Sequence, residues 1–499
     1  MTAPPSRRLE VRYGRRVELR LDPLFAPSTL PPSGFSRLPT VTRRALVATS
    51  HPLATRAGAR ALEEGGNAVD AALTAAAVLT VAEPPLTGIG GDAFAQLWWD
   101  GELLGLNGSG RSPAELDGGG VDRFGPRSVT VPGAVAAWSD LAARFGRLGL
   151  DRCLAPAIDL AEAGLAATPR VARIWHLAEQ EGRAPFPAPA LGSVYRLPEL
   201  AGTLRRIADD GPDAFYSGPV AEAIAAASWL STEDLAAHRS EWVEPLRVDY
   251  RGLEVCELPP NGQGAAALVA LGLLDGVAEP SLHELVAAVR LGLADAYAHV
   301  ADEPLPAFVL DPARLAGLRS NTTYLCCVDE DRNAVSFIQS LAEHFGSGVV
   351  AGDTGVVLHN RGSGFVEEPG HPNELRPARR PFHTIIPGML LEGGRLLGPF
   401  GVMGGPMQAQ GHVQLVQRLR EGADPQAALD AARFRVEAGR RVALEPGLWE
   451  RADELRRAGN EPYLDAEPHR FGVGQAILVL GDALVGGSDA RGDGHAAGL

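Results

Sequence analysis

Apolar residues recur along this chain with two different periods, and these periods predict where helices and strands lie. A helical period starts at Ala54 and continues to Glu64, after which Gly65-Gly66 gives a C-cap signal. Asn67 is the expected N-cap of an alanine-rich helix that runs to Leu79 and is apolar enough to be buried. Other helical patterns cover residues 134–227 with an interruption at 185–189, residues 265–300, and an amphipathic stretch at 410–419.

Strand patterns are short apolar runs bounded by turn residues. Residues 94–99 and 103–107 form one predicted hairpin that turns at Asp100-Gly101. Residues 322–328 and 334–341 form another, with Thr322 at its first position and a turn at 330–333. Further strand patterns lie at residues 246–255, 355–358, 388–391 and 476–480. Because helices are grouped around strand pairs and no internal repeat is visible, the sequence predicts a layered α+β architecture.

Length and composition restrict the class of protein without fixing its fold. At 499 residues, with 45% hydrophobic and 21% charged residues, the chain is typical of a globular protein larger than a usual single core. A net charge of −15 argues against nucleic acid or an anionic membrane surface as a partner. No run approaches the ~18 apolar residues of a membrane span, and no signal segment is visible, so we expect no membrane association and a cytoplasmic location.

The four cysteines, Cys153, Cys256, Cys326 and Cys327, show no metal-ligand spacing. Neighbouring Cys326 and Cys327 would point to opposite faces of a strand, so we expect no bond between them and four buried free thiols. The glycines of residues 88–91 lack the Lys-Ser/Thr ending of a phosphate loop, and no dinucleotide fingerprint is present. The sequence therefore predicts neither a metal nor a cofactor.

Thr322 offers the most distinctive chemistry in the chain. If the peptide bond before it were cut, its hydroxyl and a new α-amino group would lie on the same residue. An α-amino group has a pKa of roughly 8, so it can take a proton from the hydroxyl near neutral pH. A threonine in an ordinary hairpin would give the same local pattern, because threonine is common in strands. Spacing alone leaves both interpretations open.

A series of short motifs brings in a wider comparison. They lie at residues 47–54 (VATSHPLA), 65–72 (GGNAVDAA), 88–91 (GIGG), 131–133 (VPG), 213–218 (DAFYSG), 242–245 (WVEP), 259–264 (PPNGQG), 322–323 (TT), 404–405 (GG) and 486–491 (GGSDAR). Each motif is weak by itself, but their combination and order are very specific. From about Leu46 to the C-terminus, the chain resembles the γ-glutamyltranspeptidase family.

The resemblance implies an α+β fold, the four-layer αββα sandwich of the N-terminal-nucleophile hydrolases. It implies one precursor that cuts itself between Asn321 and Thr322 into a large and a small subunit, with no cofactor. The expected segments are an extended arm at 1–45, a large-subunit segment at 46–321 and a small-subunit segment at 322–499. Both subunit segments would form one fold.

The family pattern also assigns catalytic roles. Thr322 is the implied nucleophile and Thr323 orients it, while the backbone N–H groups of Gly404 and Gly405 face the acyl oxygen. Ser340 stands where the family has a threonine, and its hydroxyl can make the same hydrogen bond. A plain strand serine is the alternative interpretation of Ser340.

The implied substrate pocket departs from the family pattern. Compared with the family pattern, Arg111 is displaced by two residues relative to the proline of its region, and the hairpin asparagine of the family is Ala342. Asn360-Arg361 lies in a region that has lost the acid for an ammonium group, and the family's Ser-Ser pair is His383-Thr384. With Arg380 nearby, these residues favour an anionic acyl group without an α-amino group. His383 can also be interpreted as a core histidine.

Three functional hypotheses remain open at this point. The first is an autoprocessing amidase or acyltransferase for γ-glutamyl amides such as glutathione, with water or an amino acid as acceptor. The second is an acylase for a dicarboxylic acyl group of the glutaryl type. The third is an unprocessed, non-catalytic relative, which is supported by the short segment, residues 313–321, that separates Asp311-Pro312 from Thr322.

Overall fold

The computed structural model describes residues 37–304 and 321–499 of the chain. Its strands are β1 (Thr40–Thr42), β2 (Leu46–Thr49), β3 (Asp92–Trp99), β4 (Glu102–Gly108), β5 (Leu165–Ala166), β6 (Val194–Tyr195), β7 (Glu241–Val243), β8 (Leu246–Tyr250), β9 (Leu253–Glu257), β10 (Asn321–Val328), β11 (Ala334–Ala342), β12 (Gly388–Glu392), β13 (Arg395–Met403), β14 (Phe434–Val436), β15 (Arg441–Leu444), β16 (Glu461–Leu464), β17 (Val473–Leu480), β18 (Ala483–Ser488) and β19 (His495–Gly498). Its α-helices are α1 (Pro52–Glu63), α2 (Ala68–Ala82), α3 (Ala134–Phe145), α4 (Leu150–Ala163), α5 (Pro169–Gln180), α6 (Pro198–Asp210), α7 (Asp213–Tyr216), α8 (Gly218–Ala227), α9 (Thr232–Ala237), α10 (Gly264–Leu274), α11 (Leu282–His299), α12 (Met407–Arg420), α13 (Pro425–Asp430) and α14 (Ala452–Arg457).

Two seven-stranded sheets form the centre of the fold. One has the order β1-β18-β17-β13-β12-β9-β8 and the other has the order β19-β2-β10-β11-β3-β4-β7. Neighbouring strands are antiparallel throughout both sheets. The β10–β11 hairpin, which begins at the predicted nucleophile, therefore lies inside a sheet with partners on both sides.

Strand alternation sorts the apolar residues into layers. On β10, Leu325 belongs to a core with the helices α1 to α4, whereas Tyr324 belongs to a core between the two sheets. On the other sheet, Met389 faces that same inter-sheet core, and Leu390 packs with α10, α11 and α12. Helices thus cover the outer face of each sheet. The predicted four-layer αββα sandwich is confirmed.

Local signals account for several elements. The side chain of Asn67 accepts the N–H groups of Val69 and Asp70, and the Asp70 carboxylate accepts the N–H of Asn67, so the predicted cap of α2 is a full capping box. Every residue of α2 is buried, as its apolar composition predicts. All four cysteines are free and buried, also as predicted.

Three predicted elements differ from the structure. The single helix predicted over 265–300 is two helices, α10 and α11, because Ser281 and Glu284 form a capping box that starts the second one. The strand predicted at 355–358 is wrong, since only an isolated bridge between Val350 and Val357 is present there. The predicted amphipathic helix is α12, which is buried on nearly all sides between other elements.

Some predictions fall partly outside the described residues. Of the arm at 1–45, residues 1–36 are not described, while residues 40–42 form β1 and pair with β18. Residues 313–320 of the short segment before Thr322 also lie outside the described residues. Among the helices that are described, none is both long and apolar enough to cross a membrane.

Candidate active site

Thr322 lies at an irregular point of the β10–β11 hairpin. The residue pairs on either side of it are shifted by one, so Thr322 on β10 faces two residues, Ser340 and Leu341, on β11. A bulge of this kind redirects the local side chains. Thr322 is 1% exposed. Its side chain is on the side of the hairpin that meets α12, which follows the last residues of β13.

Two side chains hold the hydroxyl of Thr322. Its Oγ1 donates to Oγ of Ser340 at 3.2 Å and accepts Nε2–H of Gln408 at 3.1 Å. The Gln408 amide has a fixed orientation, because its Oε1 accepts the N–H of Ile386 at 3.0 Å. Ser340 Oγ also accepts the N–H of Ala342 at 2.8 Å. The hydroxyl is therefore oriented through its proton and through one lone pair.

Gly404 and Gly405 connect β13 to α12. Their φ angles are +124° and +61°, values that favour glycine. Within the described part of the chain, their N–H groups make no hydrogen bond. The carbonyl of Gly405 accepts Nε2–H of Gln263 at 2.9 Å, and the same amide donates to the Thr384 carbonyl at 2.6 Å. Two unused N–H groups on a tethered loop are what an oxyanion hole requires.

Arg361 is a buried cation that uses little of its hydrogen-bonding capacity. It is 4% exposed, and its Nη1 donates to Oγ1 of Thr384 at 2.8 Å. Its Nε and Nη2 have no hydrogen-bond partner among the described residues. The N–H of the preceding Asn360 donates to the Leu341 carbonyl at 3.3 Å, so Arg361 lies beside the bulge that holds Thr322. Burial lowers the pKa of Arg361 to about 10, which leaves it charged near neutral pH.

Asp92, the first residue of β3, accepts hydrogen bonds from three separate places in the chain and lies close to a fourth, His359. It is fully buried, and its Oδ1 accepts the N–H groups of Gly110 at 3.2 Å and Gly133 at 3.1 Å. Its Oδ2 accepts Nε2–H of His383 at 3.0 Å and lies 3.5 Å from Nδ1 of His359. One carboxylate thus connects several segments around Thr322, the predicted nucleophile.

The charges of this cluster depend on one another. Burial alone would raise the pKa of the Asp92 carboxyl, but His359, His383 and Arg361 outweigh it and lower that pKa to about 2. Burial lowers the pKa of His383 to about 3 and also lowers the pKa of His359. Because Nδ1 of His383 accepts the N–H of Ile385 at 3.3 Å, its proton is on Nε2, toward Asp92. Near neutral pH the cluster holds one anion, Asp92, and one cation, Arg361.

Two other predicted residues have different surroundings. Arg111 donates to Asp302 at 2.6 Å and to Glu241 at 3.0 Å, and Arg380 donates to the same Glu241 at 2.9 Å. The Arg111 guanidinium is therefore already bonded to two carboxylates. Thr323 donates its hydroxyl to a backbone carbonyl of β11 at 3.4 Å. Substrate binding by Arg111 and orientation of Thr322 by Thr323 stay predictions.

Several residues at the site escape the sequence analysis. Asp92 directly follows the GIGG motif, Gln263 is inside the PPNGQG motif and Gln408 follows the glycine pair, but each acts through contacts with distant segments. Glu343 is also unpredicted: it is bonded by Arg123 at 3.0 and 2.8 Å and by Nδ2 of Asn360 at 3.4 Å. No group of three or more His, Cys, Asp or Glu side chains in the described ranges is arranged to hold a metal ion.

Comparison with known proteins places the chain. The gamma-glutamyltranspeptidase family model matches residues 54–314 and 310–499. The glutathione hydrolase-like YwrD proenzyme of Bacillus subtilis (strain 168) is 34% identical, covering 91% of this chain and 98% of that protein. The oxamate amidohydrolase proenzyme of Klebsiella pneumoniae subsp. pneumoniae is 32% identical, covering 92% of this chain and 99% of that protein. A solved structure of a cephalosporin acylase from Bacillus halodurans has a TM-score of 0.87 and 39% identity, covering 94% of this chain and 98% of its own. The chain therefore belongs to the γ-glutamyltranspeptidase family, whose fold and motif order it carries.

Proposed function

We propose that the protein is an autoprocessing amidohydrolase that uses Thr322 as an N-terminal nucleophile and prefers acyl groups that end in a carboxylate. The observation that carries the acyl preference is Arg361, a charged side chain beside the Thr322 bulge that is 4% exposed and has two donor atoms without a partner among the described residues. Leaving buried donors unpaired is costly, by about 1–3 kcal/mol for each group. A carboxylate ligand would satisfy these donors in the two-pronged geometry that a guanidinium offers.

Maturation is proposed to begin at the hydroxyl that Ser340 and Gln408 hold. Oγ1 of Thr322 attacks the carbonyl carbon of Asn321, the C–N bond breaks, and the proton of the hydroxyl passes to the nitrogen. The resulting ester is hydrolysed by water, which releases the carboxyl group of Asn321 and leaves a free α-amino group on Thr322. Asn321 pairs with Ala342 in the uncut chain, so this step also frees the end of β11 that lies beside Arg361.

Turnover of a substrate amide would use the new amine as the base. The α-amino group takes the proton of Oγ1 while Oγ1 attacks the acyl carbon, and the N–H groups of Gly404 and Gly405 stabilise the developing oxyanion. The proton is passed to the departing amine, and an ester with Thr322 remains. Water then hydrolyses this ester; an amino acid as acceptor would instead give acyl transfer.

The acyl group that fits first is a dicarboxylic one, of the glutaryl type. A γ-glutamyl group is the second candidate, and it needs an acid to bind its ammonium group. Glu343 is the acid joined to this site through Asn360, but Arg123 already bonds both of its oxygens, at 3.0 and 2.8 Å. Both candidates carry a carboxylate, as do glutathione and oxamate, which appear in the names of the two relatives given above.

The first experiment is the intact mass of the purified protein, with Thr322→Ala as the control. Two fragments that divide between Asn321 and Thr322, the second of them 178 residues long, are the expected result. The control should stay intact. A wild-type chain that remains uncut after long incubation would contradict the proposed nucleophile and favour the unprocessed, non-catalytic alternative.

The second experiment compares anilides of glutarate, γ-glutamate and pentanoate, the last being a neutral analogue of the first. Arg361→Gln should lower kcat/KM for the two carboxylate substrates by roughly 30- to 1000-fold, about 2–4 kcal/mol, and leave the pentanoyl anilide nearly unchanged. Arg361→Lys keeps the charge and should recover part of the loss. Arg111→Gln is the matched control; a selective KM increase in that variant alone would move the anchor to Arg111.

A further inference from the structure

A large cavity adjoins the loop that carries Gly404. It has a volume of about 1070 Å³, and the residues around it include Gly404, Met407, Glu343 and His344. Pockets for drug-sized ligands have volumes of roughly 300–1000 Å³, so the cavity exceeds the needs of a short acyl group. Because Gly404 belongs to the proposed oxyanion loop, a substrate with its carbonyl there would extend into this space.

His344 is a buried side chain in the wall of this cavity, and the steps described above make no use of it. It is 9% exposed, and neither ring nitrogen has a hydrogen-bond partner among the described residues. Burial, followed by the charge of Arg183, lowers the pKa of His344 to about 3, so the ring is neutral. A neutral imidazole offers one N–H donor and one acceptor nitrogen. Two unpaired polar atoms on a buried ring at a cavity wall indicate a ligand with polar groups.

The wall around His344 carries a positive charge that is only partly compensated. Arg183, with 12% of its side chain exposed, donates to the His344 carbonyl at 3.0 Å. Its ion-pair partner Glu181 is 53% exposed, so water screens that negative charge more strongly. The guanidinium groups of Arg123 and Arg183 lie over the Phe124 ring, at 5.0 and 5.1 Å from its centre. This wall places a buried imidazole and a guanidinium side by side, where one ligand can reach both.

We propose that this cavity binds the amine half of the substrate amide, and that it selects amines that carry a carboxylate, which His344 and Arg183 receive. The inference rests on the proposed function, since it assigns the other half of the same substrate. The amine nitrogen lies toward Gly404 and Thr322. A bulky body then fills the cavity, and the carboxylate accepts the N–H of His344 and a guanidinium N–H of Arg183.

Binding of two matched amines tests this without any turnover. The probes are 4-aminobenzoate and 4-aminobenzamide, which have nearly the same shape and differ in charge, titrated into the full-length protein by calorimetry. We expect 4-aminobenzoate to bind at least tenfold more tightly, with a preference that shrinks between 20 and 500 mM NaCl. Equal affinity for the two probes in the wild-type protein would overturn the inference.

Variants locate the preference. His344→Ala and Arg183→Gln should each reduce it to less than threefold while leaving the affinity for 4-aminobenzamide within twofold, because only the carboxylate contacts are lost. His176→Ala is the matched control, since its side chain is 62% exposed and it does not line the cavity. A His344→Ala variant that weakens both probes equally would assign His344 a structural role and refute the assignment.

Hydrolysis separates this inference from the proposed function. The glutaryl amides of the same two amines should both be cleaved by Thr322, with the lower KM for the carboxylate form. Cleavage of both amides at equal KM would leave the nucleophile in place and overturn only the cavity assignment. Absence of cleavage together with selective binding of 4-aminobenzoate would overturn the proposed function and keep the cavity assignment.

Discussion

Asp92 must act as a hydrogen-bond acceptor through both of its carboxylate oxygens, so Asp92→Asn is the most informative substitution. The new side chain keeps an oxygen for the N–H groups of Gly110 and Gly133 but turns an NH₂ group toward Nε2–H of His383. A change of tautomer at His383 would break another hydrogen bond, because Nδ1 of this ring accepts the N–H of Ile385. Two donors would then face each other in a fully buried position.

The expected cost follows from two effects. An unsatisfied buried donor costs about 1–3 kcal/mol, and removing one member of a buried ion pair costs about 3–5 kcal/mol in all. Arg361 is the cation that loses part of its compensation, since Asp92 raises its pKa and only Glu343, which raises it less, would remain. With an unfolding entropy of roughly 2 cal/mol/K per residue, a chain of this length loses about 1 °C of Tm for each kcal/mol. Asp92→Asn should therefore lower Tm by about 3–5 °C.

A double-mutant cycle tests the reason as well as the size. If the uncompensated charge of Arg361 causes the loss, adding Arg361→Gln to Asp92→Asn should recover about 1–3 kcal/mol relative to additivity. Asp117→Asn is the control, because this carboxylate pairs with Arg127 at the surface with 67% of its side chain exposed, and its loss should cost less than about 1 kcal/mol. Thermal unfolding of the four proteins of the cycle and of the control, under identical conditions, is sufficient. A Tm of Asp92→Asn within 1 °C of wild type, or strictly additive variants, would refute the reasoning.

Three further outcomes are expected. Gln408→Met removes the donor to Thr322 Oγ1, so it should reduce the rate of self-cleavage and kcat by roughly 10- to 100-fold at nearly constant KM. Mass spectrometry measures the first rate and steady-state kinetics the second. An unchanged kcat would contradict this prediction. Ala342 has φ of +76°, so Ala342→Asn, a residue better tolerated in that region, should raise Tm by about 1 °C, whereas a lower Tm would show that the strain is absent. Acid should destabilise the fold below pH ~6.5, by up to about 1.4 kcal/mol per pH unit for each buried neutral histidine, because the unfolded chain takes up protons there and the folded one does not. In the folded protein the pKa values are about 4 for His51 and His238 and about 3 for His344 and His383. Denaturant titrations should therefore show a free energy of unfolding that is constant above pH ~7 and declines from pH ~6.5 toward these values. A constant free energy of unfolding down to pH ~4 would contradict the burial of these four histidines in the neutral form.

Much of the fold could be predicted because its signals are local. The hairpins follow from alternation and turn residues, and the Asn67 cap follows from one side chain and its neighbours. The break between α10 and α11 also had a local signal, the Ser281-x-x-Glu284 pattern after a proline, but the long apolar period obscured it. The strand prediction at 355–358 is wrong because the apolar pattern there reflects burial alone. These residues are packed in the interior without the backbone pairing that makes a strand.

The site was predictable only where a motif names the residue. Thr322, Gly404 and Gly405 are identified by the family resemblance, and the structure adds the bulge at Thr322 and two glycine N–H groups that meet no acceptor among the described residues. Asp92 could not be found in this way, because its donors come from residues far apart in the sequence. The ion pairs of Arg111 with Asp302 and Glu241 could not be found from the sequence either. They engage the guanidinium that the local sequence pattern predicted to bind the substrate.

Three consecutive residues at and just after the end of β11 lie at the places that we propose for self-cleavage, acyl binding and amine binding. Ala342 pairs with Asn321 and supplies the N–H that Ser340 accepts, so it lies next to the bond that we propose is cut. Glu343 accepts a hydrogen bond from Asn360, the neighbour of the buried Arg361, and is also bonded by Arg123. The Arg123 contact determines whether Glu343 can bind the ammonium group of a γ-glutamyl substrate. His344 faces the cavity. A shift of this segment would therefore change self-cleavage, acyl choice and amine choice together, whereas single substitutions at these positions should separate them.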